Sequence, residues 1–304
     1  MSAARPPTLV AALPDDAALG AALARSLRCD STVLALHRFP DGEALVRLDA
    51  PLKDRRVVLA ASLRQPDAVT LPLLFAADAA RELGARQVGL VAPYLAYMRQ
   101  DKRFRPGEAV TSRSYARLLS GHFDWLVTVD PHLHRWHSLD QIYTVPAQVV
   151  AAAPQIARWL ARHIARPLLV GPDSESAQWV QEVARLAGAP WTVMAKTRRG
   201  DRDVRVKLAA RGPWPGHTPV LLDDIVSTGH TMVAAAAALA RAGLAAPVCV
   251  VVHALFDAQA QQRLRDAGVA RVVSCDTIAH PTNAIRMAPA LARAARGMMA
   301  VRAQ

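Results

Sequence analysis

The chain has 304 residues, 52% of them hydrophobic and 20% charged, a globular composition that excludes an intrinsically disordered protein. Its formal net charge of +12 would suit nucleic acid, but arginine supplies most of it and is spread along the whole sequence, which disfavours a nucleic-acid partner. The 3 cysteines lie far apart, which excludes a disulfide framework and a CxxC metal site, and no secretory signal or membrane span is evident. We therefore expect a reducing cytoplasm.

Apolar strand-like runs alternate with helical runs along the chain. The predicted strands are Thr8–Leu13, Thr32–His37, Val57–Ala61, Val88–Ala92, Trp125–Val129, Leu168–Gly171, Thr192–Ala195, Val220–Leu222, Val248–Val252 and Val272–Ser274. The predicted helices are Asp15–Leu27, Asp67–Leu83, Ala109–Leu119, Ala147–His163, Glu175–Leu186, Met232–Leu244 and Ala258–Ala267. This alternation predicts parallel sheets covered by helices on both faces.

The predicted strands are too many for one compact sheet, so we expect two α/β domains. The best boundary lies at Val145-Pro146, giving domains at residues 1–145 and 146–286. A late helix within Thr282–Arg296 then leads into residues 287–304, which we expect to pack back on the first domain.

The segment Phe39–Glu43 (FPDGE) sets an aromatic ring beside two carboxylates. Its proline and glycine are typical of an ordinary tight turn, and alone the segment would support nothing more. As a functional segment it would form part of a purine pocket. Phe39 would stack on the base, and Asp41 and Glu43 would accept hydrogen bonds from an exocyclic amine.

The segment Tyr97–Arg103 (YMRQDKR) follows the predicted strand that ends near Ala92. Its charges are either ordinary surface charges or a clamp in which Arg99 and Gln100 hold a nucleotide phosphate. The residues by themselves leave both interpretations open.

Three histidines, His132, His134 and His137, follow the predicted strand Trp125–Val129. Their spacing partly matches the HxHxDH pattern of dinuclear zinc hydrolases, but Trp136 stands where that pattern needs aspartate. A zinc site is therefore disfavoured. One histidine together with carboxylates suits a magnesium–nucleotide site better.

The segment Gly171–Ser176 (GPDSES) joins a predicted strand to a predicted helix. Asp173 or Ser174 could simply cap that helix. In a polyphosphate site, Asp173 could instead bind a metal ion or a ribose hydroxyl.

The segment Lys196–Asp203 (KTRRGDRD) is rich in charge and poor in apolar residues, which predicts a mobile surface loop. A solvated run of charge is the usual meaning of such a stretch. Lysine is rare in this chain, however, and Lys and Arg on a closing loop can neutralise polyphosphate charge as a bond breaks.

The most informative segment is Val220–Thr231 (VLLDDIVSTGHT). Three apolar residues predict a buried strand, two adjacent aspartates follow at its end, and a hydroxyl- and glycine-bearing turn leads into a helix. Such a turn binds anions, because unpaired backbone N–H groups and the helix dipole point at it. An ordinary turn with Thr231 as its helix cap would not explain the paired aspartates. A ribose phosphate suits every part of the segment.

The motifs FPDGE, YMRQDKRFRPGE, TVDPH, GPDSES, KTRRGDRDV and LLDDIVSTGHT stand in the order found in ribose-phosphate pyrophosphokinases, the phosphoribosyl diphosphate (PRPP) synthetases. The chain resembles this family from about Arg38 to Leu291, with several motifs closer to the archaeal-type branch. The resemblance implies two type I phosphoribosyltransferase-like domains, each a mostly parallel sheet flanked by helices. It implies a cytoplasmic homo-oligomer that transfers the β,γ-diphosphoryl group of Mg-ATP to the 1-hydroxyl of ribose 5-phosphate, giving PRPP and AMP.

The resemblance also assigns residues to four roles. Those implied to bind ATP are Phe39, Asp41, Glu43, Arg99, Gln100 and Asp101, the first three typically reaching the adenine of a neighbouring subunit. Those implied to hold Mg²⁺ are His132 and Asp173. The implied catalytic pair on the loop is Lys196 and Arg198. Those implied to bind ribose 5-phosphate are Asp223, Asp224, Ser227, Thr228, Gly229, His230 and Thr231.

Two residues depart from the common family pattern. Ser227 stands where many bacterial relatives carry aspartate, and His230 stands where glycine or alanine is usual. The ring of His230 could crowd the phosphate or donate to it, so the choice of sugar phosphate and nucleotide is less fixed than the reaction type.

Three other functions remain as alternatives. A non-catalytic regulatory paralogue would keep the fold and lose reactive groups, whereas Lys196, Arg198, His132 and Asp173 are all present here. A salvage phosphoribosyltransferase that consumes PRPP would explain the paired aspartates but not FPDGE, the RQD segment or the two-domain length. A nucleic-acid binder would explain only the net charge.

Overall fold

The computed structural model describes residues 7–133, 135–199, 203–209, 212 and 214–300, without the side chains of residues 196–199 and 203–207. The strands are β1 Thr8–Ala12, β2 Asp30–Val33, β3 Ala35–Arg38, β4 Ala44–Arg47, β5 Arg56–Ala60, β6 Gln87–Ala92, β7 Trp125–Val129, β8 Ala147–Val150, β9 Pro167–Gly171, β10 Trp191–Arg199, β11 Asp203–Leu208, β12 Thr218–Val226, β13 Val248–Ala254, β14 Arg271–Cys275 and β15 Asn283–Ile285. The helices are α1 Ala17–Leu27, α2 Pro66–Glu82, α3 Thr111–Ser120, α4 Ala153–His163, α5 Ala177–Ala187, α6 His230–Arg241, α7 Ala258–Asp266 and α8 Ala288–Ala300.

The chain divides into two compact units. Unit 1 comprises Met1–Val150 with Met287–Gln304, and unit 2 comprises Ala151–Arg286. The division follows β8, five residues beyond the sequence-based boundary, because β8 pairs with β7 and completes the sheet of unit 1. Helix α8 lies in unit 1 against α1.

Unit 1 is built on a six-stranded sheet in the order β2-β1-β5-β6-β7-β8, in which every pairing is parallel. Its central strands are apolar and buried, as expected for a sheet covered on both faces. Gly89 of β6 lies beside Trp125 of β7, and a Cβ at Gly89 would come within 2.0 Å of the indole ring. Glycine is therefore required there. Strands β3 and β4 form a separate antiparallel hairpin.

Unit 2 is built on a seven-stranded sheet in the order β11-β10-β9-β12-β13-β14-β15. Its pairings are parallel except for β10 with β11, which is antiparallel. The predicted fold class, two α/β domains with mostly parallel sheets flanked by helices, is confirmed.

Four local predictions were wrong. The strand predicted over Thr32–His37 is two strands in separate sheets, because β2 ends at Val33 beside β1 and β3 begins at Ala35 and pairs with β4. The helix predicted over Ala147–His163 begins at Ala153, and Ala147–Val150 is strand β8. The late helix predicted over Thr282–Arg296 begins at Ala288, after the short strand β15. The surface loop predicted from Lys196 is a hairpin over its described part, because β10 continues to Arg199 and pairs with β11; residues 200–202 lie outside the described residues.

Each unit has a point at which the order of its strands reverses. In unit 1, β1 has β2 on one side and β5 on the other; in unit 2, β9 has β10 on one side and β12 on the other. In open α/β sheets, ligands bind outside the carboxyl ends of the strands that flank such a point. The residues that follow β9 and those at the end of β12 are therefore the first candidates for a site in unit 2.

In unit 1 the equivalent point holds a buried carboxylate. Asp16 follows β1, is 9% exposed, and its Oδ2 accepts a hydrogen bond from the backbone N–H of Ser62, after β5, at 3.0 Å. Burial raises the pKa of Asp16 to about 7. The hydroxyl of Ser62 is buried and has no hydrogen-bond partner among the residues described above.

Replacing Asp16 with asparagine is expected to stabilise the protein at pH 8 and to have little effect at pH 4. The folded-state pKa of about 7 lies above the ordinary 3.8, so ionisation of Asp16 costs stability progressively as pH rises from about 4 to about 7. The full effect is at most about 4 kcal/mol. Thermal unfolding at both pH values measures it, with Glu82→Gln, an exposed carboxylate of unit 1 that does not contribute to the pKa of Asp16, as the control. An equal gain at pH 4 and pH 8 would contradict the assignment.

Candidate active site

The turn after β12 has the geometry of an anion site. Strand β12 pairs with β13 as far as Val226, so Asp223 and Asp224 lie inside the strand and not after it. The turn then passes through Gly229, whose φ of +76° suits glycine, and α6 begins at His230. Thr231 is accordingly the second helical residue and not the cap.

The backbone donors of this turn are available to a ligand. Within the described part of the chain, no acceptor is seen for the N–H groups of Thr228, Gly229, His230 and Thr231, and no side chain caps α6. Unpaired N–H groups at the positive end of a helix dipole attract phosphate. Thr228, His230 and Thr231 are exposed, Ser227 is half-buried, and all four can add side-chain donors.

Three carboxylates lie together beside this turn. Burial, the negative charge of Asp224 and that of Asp173 together raise the pKa of Asp223 to about 8. The Oδ1 of Asp223 accepts from the N–H of Asp224 at 3.0 Å, and the Oδ1 of Asp224 accepts from the N–H of Ile225 at 2.8 Å. The arrangement concentrates negative charge that a cation or a polyol would relieve.

Asp173 also organises the segment after β9. Its Oδ1 accepts from the N–H groups of Glu175 at 3.1 Å and Ser176 at 3.2 Å, and the hydroxyl of Ser176 donates to its carbonyl at 2.7 Å. These bonds close the turn that precedes α5, but they do not cap the helix, because α5 begins after Ser176 and has no side-chain cap among the described residues. The negative charge of Asp173 also contributes to the raised pKa of Asp223, on the neighbouring strand β12.

Strand β10 carries the predicted catalytic pair. It lies next to β9 on the side opposite β12, so the carboxyl ends of the three strands share one edge of the sheet. Lys196 stands opposite Val206 and Arg198 opposite Val204 in the hairpin with β11. The side chains of Lys196 and Arg198 lie outside the described residues.

The predicted adenine-binding segment forms the tip of the β3–β4 hairpin. The Phe39 N–H donates to the Glu43 carbonyl at 2.9 Å, and the Glu43 N–H donates to Oδ1 of Asp41 at 3.0 Å. Phe39 is 42% exposed and contacts the ring of His37 edge-on at 4.7 Å. The turn is thus an ordered one that presents an aromatic ring and two carboxylates to solvent.

The RQD segment follows β6 in unit 1. Arg99 is exposed and Gln100 is half-buried. Asp101 is 8% exposed, and both of its oxygens lie 3.3 Å from Nη1 of Arg135. That burial favours a role in positioning Arg135 over direct contact with ATP. Arg135 could not be predicted as part of this site, because nothing in its spacing along the sequence links it to Asp101.

The segment after β7 has unusual backbone geometry. Asp130 and His132 have φ angles of +30° and +56°, and the N–H of His132 donates to the Asp130 carbonyl at 2.9 Å. Non-glycine residues held at such angles cluster at functional sites. Residue 134 lies outside the described residues, and His137 is exposed.

The described ranges contain no group of three His, Cys, Asp or Glu side chains able to hold a metal ion by themselves. The same ranges contain no helix long and apolar enough to cross a bilayer.

Two sequence models of protein families match the chain. The N-terminal domain of ribose phosphate pyrophosphokinase matches residues 8–122, and the phosphoribosyl transferase domain matches residues 138–290. A ribose-phosphate pyrophosphokinase of Methanopyrus kandleri is 35% identical over 293 residues, which cover 95% of this chain and 99% of the relative.

The chain belongs to the ribose-phosphate pyrophosphokinase family.

Further comparisons extend the family assignment. A ribose-phosphate pyrophosphokinase of Halobacterium salinarum is 36% identical over 260 residues, covering 84% of this chain and 89% of the relative. The crystal structure of phosphoribosylpyrophosphate synthetase from Mycobacterium smegmatis superposes with a TM-score of 0.83 at 25% identity, covering 96% and 98% of the two chains. The resemblance to ribose-phosphate pyrophosphokinases, including their archaeal members, is confirmed.

Proposed function

We propose that this protein is a working ribose-phosphate diphosphokinase that makes PRPP and AMP from Mg-ATP and ribose 5-phosphate. The observation that carries the proposal is the meeting of an acidic cluster, Asp173, Asp223 and Asp224, with an anion-binding turn at one sheet edge. The hydroxyls of a pentose phosphate can bind to the acidic cluster, and its phosphate can bind to the turn. The strand that bears Lys196 ends at the same edge.

The sugar site lies in unit 2. We assign the 5-phosphate to the turn from Ser227 to Thr231 and the ribose hydroxyls to Asp223 and Asp224. The helix dipole and the backbone N–H groups hold the phosphate, while the carboxylates accept from the hydroxyls. Because the two contacts lie at opposite ends of the sugar, they fix its 1-hydroxyl in one direction.

The nucleotide contacts are proposed for unit 1, which also carries the subunit contacts of a homo-oligomer. Arg99 and Gln100 bind the ATP phosphates, and Phe39, Asp41 and Glu43 bind adenine, reaching it from a neighbouring subunit. The exposed ring of Phe39 has the area to stack on a purine. The cysteines form no disulfide bond within the described residues, which fits a reducing cytoplasm as the place of action.

His132 and Asp173 are proposed to hold Mg²⁺. Burial, followed by the negative charges of Asp224 and Asp173, raises the pKa of Asp223, and a cation beside Asp173 would stabilise the ionised carboxylates. When bound, the ion supplies charge neutralisation on the ATP oxygens.

The chemistry demands alignment and charge neutralisation more than a covalent nucleophile. The 1-hydroxyl oxygen bonds to the β-phosphorus, the bond from that phosphorus to the α–β bridging oxygen breaks, and the hydroxyl proton is released. AMP leaves. Lys196 and Arg198 stabilise the charge that develops on the transferred group and on the leaving oxygen. Closure of the segment that carries Lys196 and Arg198 over the site would exclude water and limit ATP hydrolysis.

Steady formation of AMP and PRPP from purified protein, Mg-ATP and ribose 5-phosphate tests the proposal. A panel of other sugar phosphates and nucleotides in the same assay tests the specificity that His230 leaves open. Binding of ribose 5-phosphate without turnover under every condition would instead support the regulatory paralogue. Consumption of added PRPP with a purine base would support a salvage phosphoribosyltransferase.

A further inference from the structure

Helix α7 forms the floor of the phosphate-binding turn. A Cβ placed on Gly229 would lie 3.7 Å from Cγ of Leu264 and 3.8 Å from the carbonyl oxygen of Ala260. Both α7 residues are buried, with exposures of 0% and 1%. The start of α7 is fixed by Asp257, whose Oδ1 accepts from the Ala260 N–H at 2.8 Å. The turn therefore rests on a rigid element of unit 2.

One side chain of this floor reaches the turn itself. Nη2 of Arg263, on the exposed side of α7, donates to the carbonyl oxygen of Thr228 at 3.1 Å. The contact spans 35 residues in sequence and falls on the peptide group that joins Thr228 to Gly229.

This contact fixes the direction of a phosphate donor. In a planar trans peptide the carbonyl and the following N–H point in opposite directions. When Arg263 holds the Thr228 carbonyl towards α7, the Gly229 N–H is directed away from α7, to the open side of the turn. Glycine adopts φ angles of either sign at little cost, so a peptide group before Gly229 can rotate unless a partner holds it.

We infer that Arg263 is a positioning residue for ribose 5-phosphate, acting by holding the Thr228–Gly229 peptide so that its N–H faces the 5-phosphate. The inference rests on the proposed function of this turn and extends it to a residue that does not touch the substrate. The guanidinium also adds positive charge behind the turn, which favours the same anion.

Loss of the Arg263 side chain should weaken the binding of ribose 5-phosphate and leave the rate of the chemical step unchanged. The 5-phosphate is remote from the reacting 1-hydroxyl, so the lost donor weakens ground state and transition state alike. Arg263→Ala should raise the KM for ribose 5-phosphate about threefold to tenfold, with kcat and the KM for ATP unchanged. The Kd of ribose 5-phosphate, measured by calorimetry without nucleotide, should rise by the same factor.

Two further variants separate positioning from general charge or stability. Arg263→Lys keeps a cationic donor for the Thr228 carbonyl and should recover most of the affinity. Arg265→Ala removes a charge from the same helix whose Nε donates to Gln262 at 3.1 Å and not to the turn, so its KM and Kd should match the parent. Because Arg263 is exposed, all variants should melt at the temperature of the parent.

Two results would overturn the inference while leaving the proposed function intact. The first is a normal KM and Kd for Arg263→Ala in a protein whose parent makes PRPP. The second is an equal loss of affinity in Arg265→Ala, which would show an effect of net charge alone. A parent that neither binds ribose 5-phosphate nor forms AMP would instead overturn the proposed function.

Discussion

Lys196→Ala is expected to lower kcat about a hundredfold or more while ribose 5-phosphate still binds. The reason is that a cation placed where charge develops acts on the transition state more than on the bound sugar, and loss of one such donor typically costs about 10²- to 10³-fold. Steady-state kinetics with a parallel calorimetric Kd for ribose 5-phosphate measures both parts of the prediction.

Lys53→Ala is a suitable control for this variant. Lys53 is an exposed lysine of unit 1 outside every predicted site segment, so its removal changes net charge equally and should leave kcat unaltered. Near-normal turnover by Lys196→Ala would remove Lys196 from the catalytic pair. A loss of ribose 5-phosphate binding as large as the loss of kcat would assign it to the sugar site.

Asp223→Asn should lower kcat/KM for PRPP formation about a hundredfold or more, and it should stabilise the ligand-free protein at alkaline pH. Asparagine nearly preserves the shape of aspartate but loses the charge that accepts from ribose hydroxyls or balances a cation. The raised pKa of Asp223, about 8, means that ionisation costs folding free energy as pH rises from about 4 through 8. Activity and stability therefore move in opposite directions.

The measurement pairs kinetics at pH 8 with thermal unfolding at pH 4 and pH 9. Asp266→Asn provides the control, because Asp266 is an exposed carboxylate of α7 that accepts from Nε2 of Gln262. A melting temperature that falls at pH 9 in Asp223→Asn would contradict the origin assigned to the raised pKa. Retained turnover would show that Asp224 and Asp173 suffice for the sugar.

The parts of the fold that the sequence predicted are those set by local pattern. The runs that became β1, β6 and β7 are mostly apolar, which is typical of central parallel strands, and their neighbours have helical periodicity. The anion-binding turn could also be predicted from the local sequence, because the adjacent aspartates and Gly229 lie within a few residues of one another.

The missed elements depend on partners that are distant in the sequence. The segment that forms β8 has four residues and becomes a strand because β7 lies beside it, while β15 has three residues and pairs with β14. Tertiary pairing overrides local preference in such short segments. The charged residues after Met194 predicted a loop. They form part of a strand because β10 pairs with β11, and the local sequence gives no sign of that pairing.

The supporting arginines could not be found from spacing. Arg135 pairs with Asp101 across 34 residues, and Arg263 contacts Thr228 across 35. In an arginine-rich chain neither residue stands out by composition. Their roles become visible only when the fold brings the two segments together.

The return of the chain to unit 1 through α8 has a consequence for biosynthesis. Leu291 and Ala295 of α8 are fully buried in unit 1, yet this helix leaves the ribosome after all of unit 2. Domains tend to fold as they emerge, in order from the amino terminus. Unit 1 therefore cannot complete its folding until α8 is synthesised, and the apolar face of α1 stays uncovered while unit 2 is translated. Chaperone demand during synthesis should therefore be greatest before residue 288 appears.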